Sequence, residues 1–115
     1  METRYTADNI RYKTMTTEEL RESFLVDKLF TDGTVEMLYC EVERSVVGSA
    51  VPSKGALKLE AGKELASDYF CDRREVGILN IGECGTVTVD GTVYDMENLD
   101  CLYIGRGSKE ISMDS

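Results

Sequence analysis

The sequence predicts an all-β domain, an antiparallel barrel of short strands with one short helix at its front. Three observations carry this. The apolar stretches are too short for helices of ten or more residues, and turn residues cut them at regular spacing. Where the pattern is cleanest, Val87 and Val89 alternate with Thr86, Thr88 and Asp90, the period of a half-buried strand. Asp-Gly pairs at Asp32-Gly33 and Asp90-Gly91 offer the positive φ that a two-residue hairpin turn demands.

Residues 1–14 are polar and aperiodic, with Tyr5, Ile10 and Tyr12 as their large apolar side chains. They are expected to form an arm, either disordered or ordered across a neighbouring subunit, ahead of a single domain over 15–115. Thr16-Thr17-Glu18-Glu19 is a capping box, in which the Thr16 hydroxyl serves the Glu19 N–H and the Glu19 carboxylate serves the Thr16 N–H. Met15 staples onto Leu20, and a helix is predicted from Thr17 to about Ser23. Phe24 to Phe30 and Thr34 to Val42 read as two strands of a hairpin around Asp32-Gly33. Ser45 to Val51 reads as a further strand, closed by Pro52, which cannot donate to a ladder. Leu57 and Leu59 alternate with charged residues in a half-exposed strand, and Ala61-Gly62-Lys63 bends the chain toward Leu65.

Asp68 to Glu110 organises the rest. Val76 to Ile81, bounded by Gly82 and Gly85, is predicted to be a buried central strand. The turn at Asp90-Gly91 sets Val89 opposite Thr92 and Val87 opposite Tyr94, on one side of the sheet. Glu97-Asn98 signals a second turn, in which Asp100 accepts backbone N–H groups. Leu99 to Ile104 then runs to the bend Gly105-Arg106-Gly107, and Lys109 to Met113 resumes an extended course. A barrel of this kind still wants a closing strand after Glu110, so an open edge and a fragment or truncated chain are expected.

Bulk properties exclude several functions. At 115 residues the chain suffices for one core but not for two lobes and a cleft between them. Its 42% apolar and 30% charged content is that of a folded globular domain, and the net charge of −9 repels nucleic acid. No apolar run is long enough to cross a bilayer as a helix. The four cysteines, Cys40, Cys71, Cys84 and Cys101, lack C-x-x-C spacing, and no histidine completes a zinc set. With no apolar stretch in METRYTADNIRYK to act as a secretory signal, reduced thiols and a cytoplasmic location are expected.

The phrases FLVDKLF (24–30), Val46-Val47-Gly48, YFCDRREVGILNIG (69–82), GTVTVDGTVYDM (85–96) and DCLYIGRGSKE (100–110) resemble the N-terminal half of the 5-keto-4-deoxyuronate isomerases, or 4-deoxy-L-threo-5-hexosulose-uronate ketol-isomerases. That resemblance implies a cupin barrel of the jelly-roll type within a two-barrel enzyme that isomerises pectin-derived sugar acids. It also implies that zinc and the catalytic residues belong to the second barrel. A metal-binding cupin uses H-x-H, a Glu and a distant His. Here Glu75 matches the Glu, while the segment from Asp68 to Cys71 and a position near Glu110 stand where the histidines would be. No catalytic residue and no metal ligand is therefore assigned to this chain, and no cofactor is expected in it. Its expected partners are further copies of itself and the missing C-terminal barrel, with substrate met only in the complete enzyme.

Arg73-Arg74-Glu75 is the most chemically pointed cluster. On a strand Arg73 and Glu75 would share a face, pairing with each other or clamping a substrate carboxylate, and Arg74 would take the other face. The alternative is a structural or intersubunit ion pair with the second arginine solvated. Tyr39, Tyr69, Tyr94 and Tyr103 read as core or rim aromatics, and Cys84, beside Glu83 in a turn, is no nucleophile.

Overall fold

The computed structural model describes residues 1–115. Its elements, in chain order, are β1 (Glu2–Arg4), α1 (Thr17–Phe24), β2 (Val35–Cys40), β3 (Ser45–Ala50), β4 (Leu57–Lys58), β5 (Val76–Leu79), β6 (Gly85–Val89), β7 (Thr92–Met96), β8 (Cys101–Ile104) and β9 (Ile111–Asp114), joined by loops and short 3-10 turns. The fold is all-β, as the turn spacing predicts. The strands form three sheets, ordered β1-β2-β3, β4-β9-β6-β7 and β5-β8, and every pairing except β1 with β2 is antiparallel.

The hairpin β6–β7 adopts the register read from Asp90-Gly91, with Val87 opposite Tyr94 and Val89 opposite Thr92. Asp90 takes φ 47° and Gly91 φ 86°, the left-handed pair that such a turn requires. The Asp90 carboxylate also accepts the N–H groups of Lys109 at 3.1 Å and Glu110 at 2.8 Å, which fixes the approach to β9. Gly85 opens β6 where a Cβ would lie 2.5 Å from the Asp114 carbonyl oxygen, so any side chain there would push β9 away.

Helix α1 begins with the capping box: Glu19 N–H donates to Thr16 Oγ1 at 3.2 Å, and Thr16 N–H to Glu19 Oε1 at 3.0 Å. The Thr16 N–H, and after it the Thr16 hydroxyl, hold the Glu19 carboxyl below its ordinary pKa.

Three expectations need correction. Phe24 closes α1, and residues 25–30 form no strand, so the Asp32-Gly33 turn joins no hairpin. The run FLVDKLF has no period-two pattern and buries no face: Phe24 and Phe30 are 52% and 63% exposed. Strand β2 instead pairs with β3 through a tight return in which Glu43 and Arg44 take positive φ. Second, residues 1–14 are not simply an arm, because β1 lies beside Leu38 to Cys40 of the same chain. Ala7 N–H donates to Ser23 Oγ at 2.9 Å, and the Asp8 carboxylate accepts the N–H groups of Ile10 and Arg11 where a 3-10 turn over Arg11–Thr14 begins. Those contacts are a backbone ladder and polar side chain-to-backbone hydrogen bonds, which leave no apolar pattern in the sequence.

Third, β5 is neither central nor fully buried. It pairs only with β8, and Leu79 and Ile81 are 57% and 59% exposed. Asn80 ends it by folding its side chain over the neighbouring loops: Nδ2 donates to the carbonyls of Glu83 and Met96 at 2.8 and 3.0 Å, and Oδ1 accepts from Gly82 N–H. The expected open edges are present, at strands other than the last. β9 lies between β4 and β6, and the edges of its sheet are β4 and β7.

One core joins the sheets. Leu65, Phe70, Cys71, Val87, Met96, Ile104, Ile111 and Met113 form a continuous buried cluster. Yet only 10 of the 115 residues are buried. The radius of gyration is 15.7 Å, where a compact domain of this length measures about 13 Å. The exposed surface is 8021 Å², about 1,700 Å² more than a compact monomer of this mass presents. The sheets thus enclose a core without sealing it.

Candidate functional site

The Arg73-Arg74-Glu75 cluster sits where a 3-10 turn at Phe70–Asp72 passes into β5. Because β5 begins at Val76, Arg73 does not lie on the strand, and the predicted shared face with Glu75 does not form. The arginine backbone at 73 ends the turn with φ −127° and ψ 12°, an angle no strand residue adopts. No ion pair links either arginine to Glu75, and Arg73 is exposed. Arg74 instead rests over the Phe70 ring, with its guanidinium carbon 6.0 Å from the centroid, at the outer limit of a cation–π contact.

Glu75 finds a different partner. The Tyr103 hydroxyl donates to Glu75 Oε2 at 2.5 Å, and that bond raises the phenol pKa by holding its proton against a carboxylate. The pairing follows from register. Gly77 of β5 lies opposite Tyr103 of β8, so Glu75, two residues earlier, is the diagonal neighbour on the same face. Sequence reading assigned Tyr103 to the core or rim and missed this contact, whose signal lay in a strand pairing that sequence alone does not fix. Tyr103 is 67% exposed.

The loop carrying Arg106 and Gly107 locks this corner from the other side. Gly107 N–H donates to the Cys71 carbonyl at 2.8 Å and Arg106 Nε to the Asp72 carbonyl at 3.3 Å. Cys71 is fully buried, and burial pushes its thiol pKa up, so it behaves as an inert core residue. Cys84 and Cys101 are exposed and free. Asp100 plays the turn role expected of it, its Oδ2 accepting the Glu97 N–H at 2.8 Å.

The donor set does not fit zinc. The chain has no histidine, Glu75 is engaged by Tyr103, and Glu110 lies on the exposed surface 4.0 Å from Lys58. No three carboxylate or thiol side chains converge in a way that could hold a metal ion.

Two of the surface concavities bear on ligand binding. One, of about 610 Å³ beside α1 and β2, is lined by cations and anions together, such as Arg21 and Lys28 with Glu18 and Asp27. The other is a mainly apolar groove of about 780 Å³ between β3 and β5, floored by Phe70, Val87, Met96 and Met113. Its only charged lining residues are Glu83 and Asp114, both acidic. A sugar acid would meet no cation there, so this groove is not built to hold a carboxylate.

Comparison with known proteins gives the arrangement a context. The chain is 49% identical over all 115 residues to the 4-deoxy-L-threo-5-hexosulose-uronate ketol-isomerase of Halalkalibacterium halodurans. It is similar along its whole length to the N-terminal part of a uronate ketol-isomerase. The corresponding proteins of Lachnoclostridium phytofermentans and Bacillus subtilis are 50% and 44% identical, again over 100% of this chain. In each case the chain spans 42% of the relative's length. No family model matches it. The ketol-isomerase likeness covers the Arg73-Arg74-Glu75 corner, the apolar groove and all three sheets. No helix of the chain is long and apolar enough to cross a membrane.

Proposed function

We propose that this chain is the metal-free, N-terminal cupin portion of a uronate ketol-isomerase, and that it serves folding and subunit assembly while zinc and the catalytic groups reside in the part it does not cover. The observation that carries this reading is a likeness to ketol-isomerases over every residue, in a chain whose donors converge on no metal. A ketol isomerisation needs a base to take a proton from the carbon beside a carbonyl and an acid to return one to its neighbour. It also needs positive charge to hold the enediolate between those steps. In this chain Glu75 is occupied by a phenol and the apolar groove has no cation, so neither supplies that set. On this reading the protein works in the cytoplasm on pectin-derived uronates, as a homo-oligomer, and Arg73 and Arg74 are free to meet a carboxylate of substrate or of a neighbouring subunit.

The test is an isomerase assay with the uronate substrate and added zinc, run on the 115-residue chain and on a polypeptide joining it to the remaining portion of the H. halodurans relative. Turnover by the joined polypeptide alone is expected. Turnover by the chain alone would overturn the assignment of catalysis to the other portion. A second reading, a stand-alone non-catalytic binding or oligomerisation module, is favoured by the large exposed surface. It predicts a stable complex of the chain with itself by light scattering and an inactive joined polypeptide.

A further inference from the structure

The walls of the apolar groove are two strand edges. Residues Val46 and 48–53 line one side and residues 76–85 the other, while β8, on the far side of β5, contributes none. Strand β3 pairs only with β2, and β5 only with β8. Val51 N–H donates to the Thr34 carbonyl, and Val51 accepts from Gly33 N–H, so Val51 faces β2. By the alternation of an antiparallel ladder Val46, Gly48 and Ala50 turn their backbone N–H and C=O groups away from it. Likewise Asn80 N–H donates to the Asp100 carbonyl, which leaves Gly77 and Leu79 directed away from β8. None of these five residues makes a backbone hydrogen bond on its open side.

Two unpaired edges facing across an apolar floor are a template for another strand. The side chains agree. Phe30, Leu79 and Ile81, all lining the groove, are 63%, 57% and 59% exposed. An extended segment seated there would cover them, satisfy both edges and remove part of the surplus surface. A second copy of this chain is a poorer occupant, since it carries the same acidic rim and a net charge of −9. The relatives, by contrast, have more than half their length outside the region that this chain covers.

We propose that the groove between β3 and β5 is a strand slot, and that it takes an extended segment with alternating apolar residues from the portion of the longer isomerase polypeptide that this chain lacks. This rests on reading the chain as part of such an enzyme. The slot is a docking site for polypeptide and not for sugar acid.

Hydrogen exchange by NMR or mass spectrometry on the 115-residue chain and on the joined polypeptide tests the slot. Amide exchange at Val46, Gly48, Ala50, Gly77 and Leu79 should slow at least about tenfold in the joined polypeptide. The double variant Leu79→Asp and Ile81→Asp should restore fast exchange there, and should leave the melting temperature of the chain alone unchanged, because both side chains are exposed. An active joined polypeptide whose five amides still exchange freely would refute the slot and leave the proposed function standing. Isomerase activity absent together with unprotected edges would refute both. Protection that appears in the chain alone as its concentration rises would overturn the choice of occupant in favour of a second copy.

Discussion

Replacing Asp90 separates two contributions that the hairpin turn combines. Asp90 holds φ 47°, and its carboxylate accepts from the N–H groups of Lys109 and Glu110. A hydrogen bond to a charged acceptor is worth about 1.5–3 kcal/mol when sheltered, and about 1 kcal/mol at an exposed turn such as this one. A left-handed residue with a Cβ costs about 1 kcal/mol more than glycine. Asp90→Ala loses both bonds and keeps the strain that Asp90 already carries, for about 2 kcal/mol. Asp90→Gly loses the bonds but relieves the strain, for about 1 kcal/mol. Asp90→Asn keeps an acceptor and tolerates positive φ, for about 1 kcal/mol. Urea unfolding followed by far-ultraviolet circular dichroism measures the three. Alanine is expected to lose most, with glycine and asparagine each losing about 1 kcal/mol. If glycine destabilises as much as alanine, strain at this residue contributes nothing; if alanine costs under about 0.5 kcal/mol, the carboxylate does not anchor β9.

Other perturbations have equally definite outcomes. Ile111 is 1% exposed at the centre of the core, so Ile111→Ala should cost about 2–5 kcal/mol in the same urea experiment, and a smaller loss would place the core elsewhere. Gly85→Ala should cost about 1–3 kcal/mol by forcing β6 from β9, seen as faster amide exchange across that pairing; unchanged exchange would contradict the close approach. Because the Glu19 carboxyl titrates below its ordinary value near 4.5, its contribution to α1 is present above that pH and is lost as pH falls through the lower folded value. Carboxyl NMR should show that lowered midpoint in the native chain and its return toward 4.5 in Thr16→Pro, which removes both the N–H and the hydroxyl; an unmoved midpoint would rule out the cap. In ultraviolet titration Glu75→Gln should bring the Tyr103 phenol pKa down, and no change would dissolve their pairing.

Local chemistry was legible in the sequence. The capping box at Thr16 and Glu19, the Asp90-Gly91 hairpin with its register and the Asp100 turn each depend on residues a few positions apart, whose backbone and side-chain geometry is set by short-range sterics and hydrogen bonding. The regular turn spacing gave the all-β class for the same reason. At the candidate site the sequence picked out Arg73, Arg74 and Glu75 but not the Tyr103 partner, because that contact needs the pairing of β5 with β8 across 28 positions.

Strand Glu2–Arg4 escaped notice because three polar residues, none of them buried, are too few to show an apolar period. Val76 to Ile81 misled for the opposite reason: apolarity says that a segment prefers to leave water, and cannot say whether a neighbour is there to cover it. Residue order therefore determined the turns, the helix cap and the class of fold. Only the folded chain decided which strand lies beside which and which edges stay open, because pairing joins residues far apart in sequence and is chosen by the burial of all three sheets at once.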